Sequence, residues 1–237
     1  MDVILVDAII LIAFFFEALF GFGGGLLAIP STSVLLPVKT AVNLILIFQL
    51  LIGVLIIRTW KDTDWKTLRR MLVGLILGAI MGSLSLGIAS DVFLRRFLAV
   101  SVLVFLVKMV FFPKATLGNH KRISSFLAGF MGAYFQGIIG IGGPIFTMYL
   151  LTAIPNKQKF RATLIFIFFL TSLMRFGLAL QGGLITPIVA SYAVPLVIPF
   201  LLVVALGQRL HWNIPDTFYR YAVYAILLGS SLSLLLK

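Results

Sequence analysis

The chain has no cysteine and few ionisable side chains, and each shortage excludes a class of protein. Its 237 residues include two histidines and seven acidic residues, and charged residues make up 11%. Without cysteine there are no disulfides or thiolate metal sites, and because His120 and His211 both lie in polar stretches, no metal site is predicted. The apolar runs hold no Ser–His pair, paired aspartates or metal cluster, and the G-x-x-x-x-G-K-[ST] pattern of ATP-binding loops is missing. We therefore predict no enzyme, no catalytic residue, no cofactor and no direct use of ATP.

Hydrophobic residues, by contrast, make up 61% of the chain, which is typical of a multi-pass membrane protein. The formal net charge of +12 comes from Lys and Arg clustered between apolar runs, a loop bias of membrane proteins that does not indicate a nucleic-acid partner. Asp2 and Asp7 near the start, without a basic segment, argue against a secretory signal peptide. Membrane lipid is the expected surrounding of most of the chain.

Eight apolar runs follow one another, and two of them have an unusual length. Residues 3–36 and 123–155 contain 34 and 33 residues, whereas one membrane span needs about 20. Each is too long for one helix and too short for two full spans, and each has a glycine cluster in its middle. Both are therefore predicted to be re-entrant hairpins of two part-depth helices. The other runs are predicted full spans: 41–57, 71–89, 92–112, 160–180, 184–206 and 217–236.

The two glycine clusters belong to one motif that occurs twice. Residues Phe16–Gly25 read FEALFGFGGG and Phe135–Pro144 read FQGIIGIGGP, which share F-[EQ]-x-x-x-G-x-G-G-x at an offset of 119 residues. Two further pairs of segments match in the same order: 39–48 with 159–168, and 91–95 with 216–220. Three ordered matches predict a duplicated unit of one hairpin and three spans, with a first repeat at 1–113 and a second at 123–237.

The distribution of basic residues predicts how the two repeats are oriented. If all eight runs crossed the membrane, the two faces would hold nine and eight Lys or Arg, which gives no preference. If 3–36 and 123–155 return to their starting faces, one face holds 13 and the other 4, as the positive-inside rule favours. We therefore predict an all-α polytopic fold of two inverted repeats in the inner membrane, with both termini outside.

After each glycine cluster a helix is expected to restart, near Leu26 and near Pro144. A helix start presents unpaired N–H groups and the positive end of the helix dipole, and two such starts at the bilayer midplane form an anion site. The competing interpretation is that the glycines only let helices pack closely. On the first interpretation the substrate-binding residues are Gly23, Gly24, Gly25, Asn43, Gly142, Gly143, Pro144 and Thr163.

Five polar residues near these segments have more than one interpretation. Asn43 and Thr163 each either donate to an oxyanion or cap a helix. Glu17 and Gln136 occupy the same place in the motif, and the carboxylate either carries a coupling proton or forms a structural hydrogen bond to the broken backbone. Arg175 has no basic counterpart in the first half, and it either pairs with an anion or with Glu17, or snorkels to the outer interface. The sequence alone leaves these alternatives open.

The segment Gly21–Pro30, its shorter version at Gly140–Pro144 and the Asn43 and Thr163 positions of the following spans resemble the sulfite exporter TauE/SafE family. The resemblance covers residues 8–236, because both halves carry it. It implies a membrane transporter of sulfite, sulfoacetate or other organosulfonates. Pro144 stands where the second motif of the family usually has glycine, and this departure bears on the symmetry of the two half-sites.

These features together predict a secondary transporter that exports small oxyanions, sulfite or organosulfonates, by alternating access around a midplane site. A transporter or channel for another small anion or solute is the alternative, and an intramembrane enzyme or a purely structural subunit is disfavoured. The exact anion, the direction of transport, the coupling ion and its stoichiometry, and assembly into a homo-oligomer are left open by the sequence.

Overall fold

The computed structural model describes residues 2–20, 23–55, 57–112, 122–210, 227–229 and 231–236. These residues form helices joined by short turns and include no β-strand, so the predicted all-α class is confirmed. The helices are α1 Asp2–Phe20, α2 Gly24–Ser33, α3 Val38–Leu55, α4 Trp65–Ile88, α5 Asp91–Phe111, α6 Arg122–Ile139, α7 Gly143–Ala153, α8 Lys157–Gln181 and α9 Pro187–Leu210, with a short 3-10 helix at Ile57–Asp62. Residues 227–229 and 231–236 are helical as well.

Several of these helices are long and apolar enough to cross a membrane, which makes the chain a multi-pass membrane protein. Among the described residues they are Val38–Leu55, Trp65–Ile88, Gln158–Gln181 and Pro187–Gly207. They cover most of the predicted spans 41–57, 71–89, 160–180 and 184–206. The predicted span 92–112 forms α5, which has 21 residues but carries charged side chains near both ends. Most of the predicted span 217–236 lies outside the described residues.

The two unusually long apolar runs each form one long helix followed by one short helix. α1 and α6 have 19 and 18 residues, whereas α2 and α7 have 10 and 11. At 1.5 Å per residue the long helices measure about 27–29 Å, close to the hydrocarbon thickness of a bilayer, and the short ones about 15–17 Å. Each glycine cluster therefore lies beyond the middle of its run, and the re-entrant hairpins stay a prediction.

The first of two compact units is built around the contact of α1 with α9. It consists of Met1–Ile45, Ala89–Pro113 and Ile185–Lys237. The rings of Phe14 on α1 and Phe200 on α9 meet edge to face, with centroids 5.1 Å apart. Gly207 of α9 lies so close to Ala18 that a Cβ atom at the glycine would be 2.7 Å from the alanine Cβ. One pair of aromatic rings and one glycine thus bring the two helices together.

The first unit also ties the start of α3 to the start of α5. The Val38 N–H, which has no partner within its own helix, donates a hydrogen bond of 2.8 Å to Asp91 Oδ1. The same carboxylate contacts Arg95 one turn along α5 at 3.4 Å. α2, which is almost entirely buried, packs against both α1 and α5. These contacts hold the short helix after the first glycine break inside the unit.

The second compact unit is built around the contact of α4 with α6. It consists of Leu46–Ile88 and Lys114–Leu184. Gly74, Gly78 and Gly82 recur every four residues on one face of α4, and each approaches a backbone carbonyl of α6 so closely that a Cβ atom would overlap it. The carbonyls belong to Phe126, Phe130 and Tyr134. Such a stripe of small residues lets two backbones pack directly, which in a membrane provides dispersion contacts and weak Cα–H···O bonds.

Each compact unit takes helices from both halves of the chain. α1, the first arm of the first hairpin, packs on α9, whereas α6, the first arm of the second hairpin, packs on α4. α4 and α9 are the third elements of the two predicted repeats. The long helix of each apolar run therefore contacts the corresponding helix of the opposite half.

Candidate functional site

The first glycine break is closed by a carboxylate from the helix before it. α2 begins at Gly24, and Gly23 before it has a φ of 109°, in the left-handed region that favours glycine. The backbone N–H groups of Gly24 and Gly25 donate hydrogen bonds to the Glu17 carboxylate. Residues 21 and 22 lie outside the described part of the chain. Glu17 therefore reaches forward across the break and holds the start of α2.

The Glu17 carboxylate occupies the same backbone N–H groups that are predicted to bind the transported anion. A carboxylate at a helix N-terminus is stabilised by the free N–H groups and the helix dipole, typically by about 0.3–2 kcal/mol. No side chain fits at Gly24, because a Cβ atom there would overlap the Glu17 carboxylate and lie 3.1 Å from the Phe14 ring. In this arrangement an anion reaches the amides of Gly24 and Gly25 only if Glu17 moves away.

The second glycine break is closed by an amide at the matched position. Gly140 has a φ of 72°, α7 begins at Gly143, and Pro144 occupies its first turn, where the missing N–H is no loss. The Gly142 N–H donates a hydrogen bond of 2.7 Å to Gln136 Oε1, and both residues are buried. The helix therefore restarts beside Pro144, as the motif predicts, and a side chain of α6 holds that restart.

The glycine at 142 is required by packing and not by its backbone conformation. Its φ of −95° is open to any residue. A Cβ atom at Gly142 would lie 2.9 Å from Gln136 Cβ and would overlap the backbone oxygen of Gly132. At Gly143 the added atom would be 3.1 Å from Phe168 Cζ. The glycines of this break let α7 begin directly against α6 and α8.

Glu17 and Gln136 thus perform the same task in the two halves. Each sits near the end of the long arm, and its side-chain oxygen accepts a hydrogen bond from a backbone N–H at the start of the short arm. This geometry supports the structural interpretation of Glu17. The two positions differ in charge, because one half uses a carboxylate and the other a neutral amide.

Asn43 and Thr163 also correspond closely, and both donate back to their own helices. Asn43 Nδ2 donates to the Lys39 carbonyl at 2.8 Å, and Thr163 Oγ1 donates to the Lys159 carbonyl at 2.7 Å. Thr163 Oγ1 additionally accepts the Asp64 N–H at 2.9 Å, which fixes the turn before α4. The expected caps of their own helices are not formed in this way, because each side chain bonds a carbonyl one turn earlier. Asn43 Nδ2 and Thr163 Oγ1 thus each donate to a carbonyl within the protein.

Arg175 is buried, in disagreement with the snorkelling interpretation. Its side chain is 2% exposed, and Nη1 donates to Gln49 Oε1 at 3.2 Å. The same oxygen of Gln49 accepts from Gln136 Nε2 at 3.3 Å. The second break is thereby joined to a buried guanidinium through two amides. The sequence analysis missed Gln49, although a polar residue inside an apolar run was the signal that singled out Glu17.

A family model for the sulfite exporter TauE/SafE matches residues 7–234. The chain belongs to the sulfite exporter TauE/SafE family. No curated protein and no solved structure matches it. The match covers both glycine breaks and both compact units, so the family assignment applies to nearly the whole chain.

In this TauE/SafE protein the structure brings some predicted site residues together and leaves others apart. In the first unit Glu17 meets Gly24 and Gly25. In the second unit Gln136 meets Gly142, and Gln49 links that pair to Arg175. Asn43 and Thr163 are engaged by helix carbonyls instead. The prediction that both breaks share one anion at the midplane stays a prediction.

Proposed function

We propose that this TauE/SafE protein is a secondary transporter that exports a small oxyanion of the sulfite or organosulfonate type. The family assignment supports membrane transport of such anions. The observation that carries the proposal is the duplicated helix restart, because α2 and α7 each begin inside an apolar run with backbone N–H groups directed at a polar side chain. Short helices that start inside the membrane are the usual anion-binding elements of secondary transporters.

We also propose that the two halves are inverted, and that the face with 13 Lys and Arg residues lies in the cytoplasm. Contacts at the two ends of α3 support this topology. α3 starts beside Asp91, which accepts the Val38 N–H, and it leads into the loop that carries Asp62 and Asp64. That loop is bonded to the start of α8 through Gln158 and Thr163. Inverted halves permit alternating access to the two faces, which is the mechanism we propose.

Reconstitution of the full chain into proteoliposomes tests this function. We expect saturable uptake of radiolabelled sulfite, and we expect no such uptake in protein-free liposomes. Unlabelled sulfonate should inhibit this uptake by competition. Preloading with unlabelled sulfite should accelerate entry of the label, since an alternating-access carrier returns faster when loaded. Gly177→Leu serves as a matched control for variants of the break, because nothing lies within 4 Å of a Cβ atom at Gly177.

The same assay separates the alternatives. An anion channel gives uptake without acceleration by internal substrate, and a carrier of another solute gives no sulfite uptake under any gradient. Failure of sulfite and of every tested sulfonate to enter would overturn the proposed substrate class.

A further inference from the structure

The second compact unit contains a buried polar cluster around Arg175, whose guanidinium has no carboxylate partner among the described residues. Arg175 donates through Nη1 to Gln49, while its Nη2 is buried and has no hydrogen-bond partner among the described residues. Gln49 is 8% exposed and Gln136 is fully buried. Because a guanidinium stays protonated, the cluster carries a full positive charge inside the protein.

One turn before Arg175 lies a second buried donor without a partner. Ser172 is fully buried, and its Oγ has no hydrogen-bond partner in the described part of the chain. Residues three apart on a helix share a face, so Ser172 and Arg175 lie on the same side of α8. Buried donors are usually satisfied, so these two groups on one helix face are available to donate to a ligand.

The charge of Arg175 is not balanced inside its own unit. The segments 46–88 and 114–184 contain only two acidic residues, Asp62 and Asp64. Asp62 accepts from Gln158 at the start of α8, and Asp64 caps the first turn of α4. Their contacts on α8, Gln158 and Thr163, precede Arg175 by more than three helical turns. An unpaired buried charge costs stability, and an anion that binds beside Arg175 would offset that cost.

At these aligned positions the first half of the chain carries a negative charge and the second half a positive charge. The first half has Glu17 in the motif, and the apolar Leu55 aligns with Arg175 in sequence. The second half has the neutral Gln136 in the motif and the cationic Arg175. A carboxylate at position 136 would place a negative charge in the same polar cluster and would lose the N–H that Gln136 donates to Gln49. Its replacement by an amide keeps the bond to Gly142 while leaving the positive charge free.

We propose that Arg175 and Ser172 bind the transported oxyanion, and that Gln49 and Gln136 are positioning residues for the guanidinium. The inference rests on the proposed function and makes the anion site asymmetric, with its charge recognition in the second unit. The unpartnered Nη2 group of Arg175 offers charged N–H donors to the oxygens of a sulfite or sulfonate group, and the Ser172 hydroxyl donates to a further oxygen. Gln136 is hydrogen-bonded both to Gln49 and to the backbone at the start of α7. A network of hydrogen bonds therefore connects this site to the helix start.

A ligand role and a structural role make opposite predictions for stability. If Arg175 and Ser172 were structural, their removal would lower the melting temperature of the unliganded protein. If they bind substrate, Ser172→Ala and Arg175→Gln remove unsatisfied buried groups, so the melting temperature without sulfite stays unchanged or rises. The stabilisation by added sulfite is then reduced in the first variant and lost in the second.

The experiment measures thermal unfolding of the purified full chain in detergent with sodium sulfite or with sodium chloride at equal ionic strength, alongside uptake in proteoliposomes. We expect Arg175→Gln to weaken sulfite binding at least about 100-fold and Ser172→Ala about tenfold, because charge-assisted hydrogen bonds are lost. Gln136→Glu should weaken it at least about tenfold while keeping the acceptor for Gly142. Arg70→Gln, at an exposed arginine of the same unit, and Ser33→Ala, at another buried hydroxyl without a partner among the described residues, serve as matched controls.

The outcomes separate this inference from the proposed function. If the unmodified chain neither binds nor transports sulfite or sulfonates, the proposed function fails. If the unmodified chain does so and Arg175→Gln or Gln136→Glu retains its affinity, the inference is overturned while the function stands. Should Arg175→Gln fail to fold, unchanged sulfite affinity in Ser172→Ala and Gln136→Glu overturns the inference by itself.

Discussion

At the scale of single residues, the informative comparison is between Glu17 and Gln136. Both side chains accept a hydrogen bond from the backbone after a glycine break, so an amide and a carboxylate are interchangeable in geometry at this point of the motif. They are not interchangeable in charge, because only the carboxylate can take up a proton. A single substitution therefore separates the two roles that the sequence left open for Glu17.

We expect Glu17→Gln to leave the response of anion flux to a pH gradient unchanged, because the amide still accepts from Gly24 as Gln136 does from Gly142. Glu17→Ala removes the acceptor altogether and should destabilise the protein by about 2 kcal/mol. Flux into vesicles with and without an imposed pH gradient, together with thermal unfolding of both variants, measures these effects. Loss of the gradient response in Glu17→Gln would instead assign a coupling proton to this carboxylate.

At the scale of helices, glycine serves two separate purposes in this chain. In the breaks it permits the left-handed turns at Gly23 and Gly140 and leaves room for the side chains that close them. Along α4 it brings one backbone onto another, where Gly78 faces the Phe130 carbonyl. Variants at the two kinds of glycine should therefore fail in different ways.

At the breaks, Gly24→Leu and Gly143→Leu should abolish sulfite binding in protein that still inserts into the membrane. The new side chain at Gly24 would displace Glu17, and that at Gly143 would press on Phe168, so both helix starts would shift. Sulfite-dependent stabilisation in detergent and membrane insertion are measured together, with Gly177→Leu as the control. Normal binding by either variant would leave that glycine with a packing role only.

Along α4, Gly78→Ala should lower stability by about 1–3 kcal/mol, because its methyl group overlaps the α6 backbone and neither helix can yield locally. Gly177→Ala adds the same atom in open space and should change stability by less than about 0.5 kcal/mol. Unfolding of both variants in detergent gives the comparison. Equal stability of the two would show that α4 and α6 can separate at no cost.

At the scale of the whole molecule, the orientation of the two halves is the main prediction. The basic residues divide 13 to 4 between faces only if both hairpins return to their starting side. The bond from Val38 to Asp91 places the starts of α3 and α5 together, and the bond from Asp64 to Thr163 places the starts of α4 and α8 together. These pairings are the ones that the hairpin topology requires.

Single cysteines in this cysteine-free chain test the topology directly. Cysteines at Lys39 and Arg95 should react with an impermeant maleimide added outside, whereas those at Lys66 and Lys159 should react only after the membrane is opened. Full transport by each variant controls for correct folding. Labelling of positions 39 and 95 from opposite faces would refute the proposed arrangement.

The features that depend on local chemistry could be predicted from the residues alone. Long apolar runs specify membrane helices, glycine clusters specify where those helices break, and Pro144 marks a first helical turn, since each rests on neighbouring residues. The repeated motif likewise predicted the family to which the chain belongs. The exact bounds of the helices on either side of each break come from the structure, because the centre of a run and its break do not coincide.

Which polar groups meet could not be predicted, because it depends on how distant helices pack together. Arg175 and Gln49 are 126 residues apart, and nothing in either segment predicts that their helix faces pack together. The same holds for the bond between Thr163 and Asp64, which are 99 residues apart, and for the contacts of α1 with α9 and of α6 with α4. Such contacts depend on the rotation of each helix about its axis. Packing against neighbouring helices sets that rotation, and in a uniformly apolar run the sequence carries little record of it.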